Sequence, residues 1–179
     1  MSRVFQIAMK KIYTSCNKMR GMKIAHGGTT QYKSDLRYRR NISLGRKSIL
    51  YKCQNIYIGK NGRFSMGNDS HAAPYGYFLV EEMSIEIGND VAIGPFCSFF
   101  CKSNALSPDK PLFRENYDKG DIIIGNNVFI GAQSVILPGT IIGDNVILAA
   151  NSVARGKLED NTMYGGTPCR VIKKLIIND

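Results

Sequence analysis

Imidazole is the side chain best suited to move protons near neutral pH, and this chain has two, His26 and His71. His71 stands in Gly67-Asn68-Asp69-Ser70-His71-Ala72-Ala73-Pro74-Tyr75-Gly76, with Asp69 and Glu82 close in sequence. His26 precedes Gly27-Gly28. A zinc centre of three histidine ligands is poorly served by two histidines per chain, even when neighbouring subunits pool them. Cys16, Cys53, Cys97, Cys101 and Cys169 are odd in number and scattered. That pattern fits buried free thiols better than a disulfide framework or a zinc site.

Whatever chemistry these residues do depends on the elements that hold them, and one repeat dominates the chain. Ile124, Ile130, Ile136, Ile142, Leu148 and Ala154 are spaced by six without a slip. Gly125, Gly131 and Gly143 follow three of them, and Val128, Ser134, Thr140, Val146, Ser152 and Leu158 stand four residues after each. An earlier block, Ile87, Ile93 and Phe99, obeys the same rule, and a weaker one starts at Ile58-Gly59 and runs to Phe64. Upstream, Leu44 and Leu50 fit, but the register slips before Ile58.

Six is neither a helical period nor a long strand alternation. It suits a short strand and a tight turn, repeated so that each coil covers the apolar face of the next. Gly-Asn and Gly-Asp pairs such as Gly125-Asn126 and Gly143-Asp144 tolerate the angles of corners. Three such units make one coil of a triangular solenoid.

The expected fold is therefore all-β, a hexapeptide-repeat solenoid. Its expected parts are a basic, partly helical N-terminal segment (1–43), the β-helix (44–160) with loops at 68–83 and 105–120, and a C-terminal closing segment (161–179).

The charge is uneven. Residues 1–52 hold 13 of the 24 Lys and Arg and one of the 14 acids, so they carry +12 and the remainder −2. Val4, Ile7, Ala8, Ile12, Cys16 and Met19 recur at near-helical spacing, with Lys10, Lys11, Lys18 and Arg20 on other faces. Such a helix can dock onto the domain, onto a neighbouring subunit, or onto an anionic membrane surface. Nothing resembles a nucleic-acid-binding motif. No run of about 18 apolar residues offers a spanning helix. Basic residues break the first twenty positions, so no signal peptide is expected and a cytoplasmic location is.

The stretch from Ile122-Ile123-Ile124-Gly125-Asn126-Asn127-Val128-Phe129-Ile130-Gly131 to Gly166-Thr167-Pro168-Cys169-Arg170-Val171-Ile172 resembles the C-terminal signature of the hexapeptide-repeat, left-handed β-helix acyltransferases. Within them it is most similar to the sugar O-acetyltransferases, near the maltose, galactoside and serine enzymes, over roughly residues 56–175. The resemblance implies the left hand, acetyl-CoA as acyl donor without a metal, a homotrimer with sites shared between subunits, and a saccharide or surface-polysaccharide precursor as acceptor.

Residue by residue, the resemblance implies that Ala132 and Ala150 meet the pantetheine arm, and that Arg170 and Lys173 meet the nucleotide end. The family often has Lys after the last full coil. Here Gly156 is flanked by Arg155 and Lys157, either of which can stand in. The family's catalytic His precedes the loop that interrupts the coils. That place reads Phe99-Phe100-Cys101-Lys102-Ser103-Asn104-Ala105. Ungapped counting puts Asn104 at the His position and a one-residue shift puts Ser103 there, and neither is a good proton acceptor.

His71, oriented by Asp69 or Glu82, is the candidate replacement base. His26 ranks below it, and a surface histidine is the plain alternative for both. The function expected is an acetyl-CoA-dependent O-acetyltransferase, with an N-acetyltransferase as a variant. The alternative is a non-catalytic β-helix scaffold or regulator.

Overall fold

A computed structural model describes residues 3–31, 35–36, 38–109 and 112–176, the side chains of residues 3–5 and 35 excepted. Inward-pointing residues stack in three columns, one per face of a triangular prism. Leu44, Met66, Ile87, Ile124, Ile142 and Leu158 line the first face. Leu50, Ala72, Ile93, Ile130, Leu148 and Tyr164 line the second. Leu36, Ile56, Phe78, Phe99, Ile136 and Ala154 line the third.

Among the described residues, strands within each face are parallel and in register, seven on the first and six on the third. The second has eight, because Cys169–Lys174 adds antiparallel to Thr162–Gly166. This is a left-handed β-helix. Nearly every column residue is fully buried, each worth about 1.5–3 kcal/mol of apolar transfer for a large side chain. Phe78 stacks on Phe99 with centroids 4.7 Å apart.

Corners are held by side chains that repeat as the columns do. Asn127 donates to Asn145 (2.8 Å) and Asn145 to Asn161 (2.9 Å), with all three at positive φ. Ser134 and Ser152, both fully buried, donate to carbonyls of Gly131 and Ala149, respectively.

Three expected boundaries move. The coils begin at Lys23–Ile24, which pairs with Ile42–Leu44, rather than at residue 44. Residues 68–83 are a coil and no loop: His71–Ala72 pairs in register with Ile49–Leu50 and Ala92–Ile93, and Tyr77–Glu81 follows. Its Gly, Asn and Asp residues occupy corners, and Ala72 fills an inward slot that a larger aliphatic would advertise. The last coil continues past residue 160 to Tyr164. Ile58 and Phe64 are buried beside a corner and do not lead hexads.

The spacing stays at six from first to second to third face in every coil. All slips fall on the return from third to first: Leu36 to Leu44, Ile56 to Met66, Phe78 to Ile87, Phe99 to Ile124, Ala154 to Leu158. One edge of the prism thus collects every insertion.

Helix α1 (Arg3–Met19) packs on Thr29–Thr30 at the end of the coils. It docks by polar groups, not by the expected apolar stripe. Thr14 Oγ1 donates to the Thr30 carbonyl (3.2 Å), and Asn17, 1% exposed, donates to Thr30 Oγ1 (2.9 Å). Ile7, Ile12 and Met19 face outward, Met19 at 79% exposure. The side chain of Val4 lies outside the described residues.

Candidate active site

The longest insertion on the slipping edge leaves the third face as a hairpin. Lys102–Asn104 pairs antiparallel with Tyr117–Lys119, Ser103 opposite Asp118 and Asn104 opposite Tyr117. Lys102 roots it: its Nζ lies 2.8 Å from Glu81 Oε2 and 4.3 Å above the Tyr117 ring. The Glu81 hydrogen bond raises the Lys102 pKa. The connecting loop turns through Phe113–Glu115; its Lys110 and Pro111 lie outside the described residues.

Between the hairpin and the next coils opens a cleft of about 440 Å³. Ser103, Asn104, Tyr117 and Asp118 form one wall, and Leu137, Pro138 and Arg155 the other. Arg155 Nη2 meets Asp118 Oδ2 at 2.7 Å across it. Asn104 Nδ2 donates to the Phe113 carbonyl (2.9 Å), so this side chain closes the loop. The cleft offers one carboxylate able to accept a proton and a guanidinium able to face a developing oxyanion.

Arg155, singled out in the sequence, thus joins Asn104. Asp118 was missed. Its signal was the Tyr117-Asp118-Lys119 strand that returns opposite Lys102–Asn104, legible only once the loop is read as a hairpin.

Ala132 and Ala150 stack at the opposite edge, between second and third faces: the Asn151 N–H donates to the Ala132 carbonyl (2.9 Å). A Cβ on Gly131 would stand 2.3 Å from the Ala150 nitrogen, so the coils close tightly here. The closing turn arrives at the same edge, Thr167 Oγ1 donating to the Asn151 carbonyl (3.2 Å). Arg170 and Lys173 lie exposed on the strand that follows it. Lys157 is on the first face and pairs with Glu159 at 3.1 Å. The alanine edge and the hairpin cleft bound the third face from its two sides. About 20 Å of extended chain, from Ala132 to Pro138, separates them.

His71 lies on the second face, half-buried, its ring edge-on to Tyr51 at 6.0 Å. Asp69 precedes it at a corner. Glu82 belongs to the insertion edge, where its Oε2 accepts the Asn61 N–H (3.0 Å). The fold thus separates Glu82 and the hairpin cleft from His71. His26 is exposed beyond the first coil's first strand. Burial pushes the Cys101 thiol up to about 12, with Asp121 adding to it, and also raises Cys97 and Cys169.

The bacterial transferase hexapeptide (six repeats) family model matches residues 121–156, which hold Ala132, Ala150 and Arg155. A galactoside O-acetyltransferase of Lactococcus lactis is 36% identical over 121 residues, 68% of this chain and 56% of that protein. One of Escherichia coli is 32% identical over 131 residues, 70% and 63%. The chain therefore spans less than two thirds of the length of either relative. An N-acyltransferase of Bacillus cereus, AntD, solved with dTDP and 3-hydroxybutyryl-CoA, superimposes with a TM-score of 0.77 at 23% identity, over 90% of this chain and 88% of that one.

Proposed function

We propose that this chain, which belongs to the hexapeptide-repeat proteins, transfers an acetyl group from acetyl-CoA to a hydroxyl of a saccharide or surface-polysaccharide precursor. The observation that carries the proposal is the hairpin cleft, where Asp118 and Arg155 converge on a space of substrate size at the edge of the matched coils. The likeness to two galactoside O-acetyltransferases favours a saccharide hydroxyl over an amine.

Asp118 takes the acceptor's proton as its oxygen attacks the thioester carbonyl. Arg155, released in part from Asp118, faces the oxyanion. Collapse of the tetrahedral adduct expels the coenzyme thiolate, which receives the proton back. Ala132 and Ala150 give the pantetheine arm a flat edge, and Arg170 and Lys173 give its phosphates a positive one.

Because that edge and the cleft lie on opposite sides of one chain's third face, a complete site takes its cleft from one subunit and its edge from the next. A homotrimer closes three such pairs. The outward Ile7, Ile12 and Met19 beside Lys11 and Lys18 support peripheral contact of α1 with an anionic bilayer, on the cytoplasmic side. No helix among the described residues is long and apolar enough to cross a membrane.

Calorimetric titration of acetyl-CoA into the purified chain tests the activity. One coenzyme per chain is the expected stoichiometry, followed by thiol release when galactosides are added. Absence of binding at millimolar coenzyme would leave the non-catalytic scaffold as the better reading.

A further inference from the structure

The insertion edge carries a second cleft near the N-terminal end of the coils, of about 590 Å³. Two successive insertions build its walls. One presents Arg40 and Asn41, the other Lys60 and Asn61, with Arg63 opening the first-face strand that follows; Lys23 and Ser43 of the first face lie at its floor, over buried Ile42.

The walls are braced. The Arg40 stem crosses Gly21, where an added Cβ would stand 2.6 Å from Arg40 Cγ. Asn41 Nδ2 donates to the Lys60 carbonyl at 2.8 Å, tying one wall to the other. Glu82, on the same edge, is engaged by the Asn61 N–H and lies outside the lining. Among the described residues, none of the four cations of this cleft forms an ion pair.

Four uncompensated cations around one concavity repel each other, and their mutual repulsion is relieved by a multiply charged anion. The mixture of guanidinium, ammonium and amide donors suits phosphate oxygens. The space exceeds that of a single phosphate, so two linked phosphates with a substituent fit it.

We infer that this cleft is a binding site for a diphosphate-bearing ligand, separate from the coenzyme. The alanine edge and closing strand lie at the other end of the solenoid. The strand steps from Met66 to Ile87, Ile124 and Ile142 put about 15 Å between the cleft and those last coils. The inference does not depend on acyl transfer.

Inorganic pyrophosphate, titrated calorimetrically into the full chain at low salt, is the probe. Wild type binds one equivalent, and added sodium chloride weakens it. In Lys60→Gln/Arg63→Gln the affinity falls at least about tenfold, while the acetyl-CoA isotherm and the melting midpoint stay unchanged, since both side chains are exposed. Arg40→Gln, on the other wall, repeats the loss.

Two further arms identify the source of the diphosphate. Competition by uridine diphosphate marks a soluble ligand. Sedimentation with vesicles containing an undecaprenyl diphosphate, lost in the double variant, marks a lipid headgroup. The inference is overturned if pyrophosphate fails to bind at about 5 mM, if the variants bind it as wild type does, or if they lose acetyl-CoA to the same extent.

Discussion

Asp118 and Asn104 are neighbours on one hairpin with different prospects. The Asn104 amide is spent on the Phe113 carbonyl, while the Asp118 carboxylate faces the cleft in contact with Arg155. Asp118→Asn keeps the shape and removes the proton acceptor, so kcat for acetyl transfer should fall about 10²–10⁴-fold with the coenzyme affinity little changed. His71→Ala, on the second face, should leave kcat within about twofold of wild type; a loss as large as that of Asp118→Asn would restore the imidazole as the base.

Thiol chemistry separates by burial. Cys101, pushed up to about 12, has about one part in 10⁴ as thiolate at pH 8, and that fraction grows only as pH climbs toward 12. Cys97 and Cys169 are raised in the same direction. A disulfide reagent at pH 8 should therefore count two fast thiols, the half-exposed Cys16 and Cys53, and three more only after denaturation.

Strand stacking was readable where aliphatic residues hold every sixth position, from Ile124 to Ala154. It was unreadable where Ala72 and Thr30 fill inward slots and the returns from third to first face differ in length. Corner residues at 68–83 look like a break in the sequence, whereas the chain there continues as a coil. The segment 105–120 reads in the sequence as an interruption, but the antiparallel return of Tyr117–Lys119, and with it Asp118, is set by cross-strand pairing that no local period announces.

The same slips make a prediction about elements. Gly139 sits on the insertion edge at φ +72 with nothing within 4 Å of an added Cβ. Two residues inserted after Gly139 should shift Tm by no more than about 4 °C. The same insertion after Ala132, where successive coils touch backbone to backbone, should displace the Ile136 and Ala154 column and abolish cooperative melting. Equal tolerance at both edges would mean that the insertion edge has no special freedom.

At the scale of the whole molecule, the third face decides whether one chain suffices. The cleft with Asp118 and Arg155 lies on one side of that face and the Ala132–Ala150 edge on the other. A thioester carbonyl cannot be held at one side and attacked at the other across about 20 Å. With the coenzyme on the flat edge as proposed, a site within a single chain is out of reach. A site between chains needs no rearrangement, only a neighbour whose edge faces the cleft. The two arrangements respond differently to mixing.

Ala150→Trp blocks the edge and leaves the cleft intact; Asp118→Asn disables the cleft and leaves the edge intact. Each alone should be inactive in thiol release. Unfolded together in equal amounts and refolded, random trimers place an intact cleft beside an intact edge in about a quarter of the sites. Recovery of about a quarter of wild-type activity is the expected result. A mixture as inactive as its parents, with light scattering reporting trimers, would put the whole site within one chain. The coenzyme would then have to be sought along the insertion edge instead.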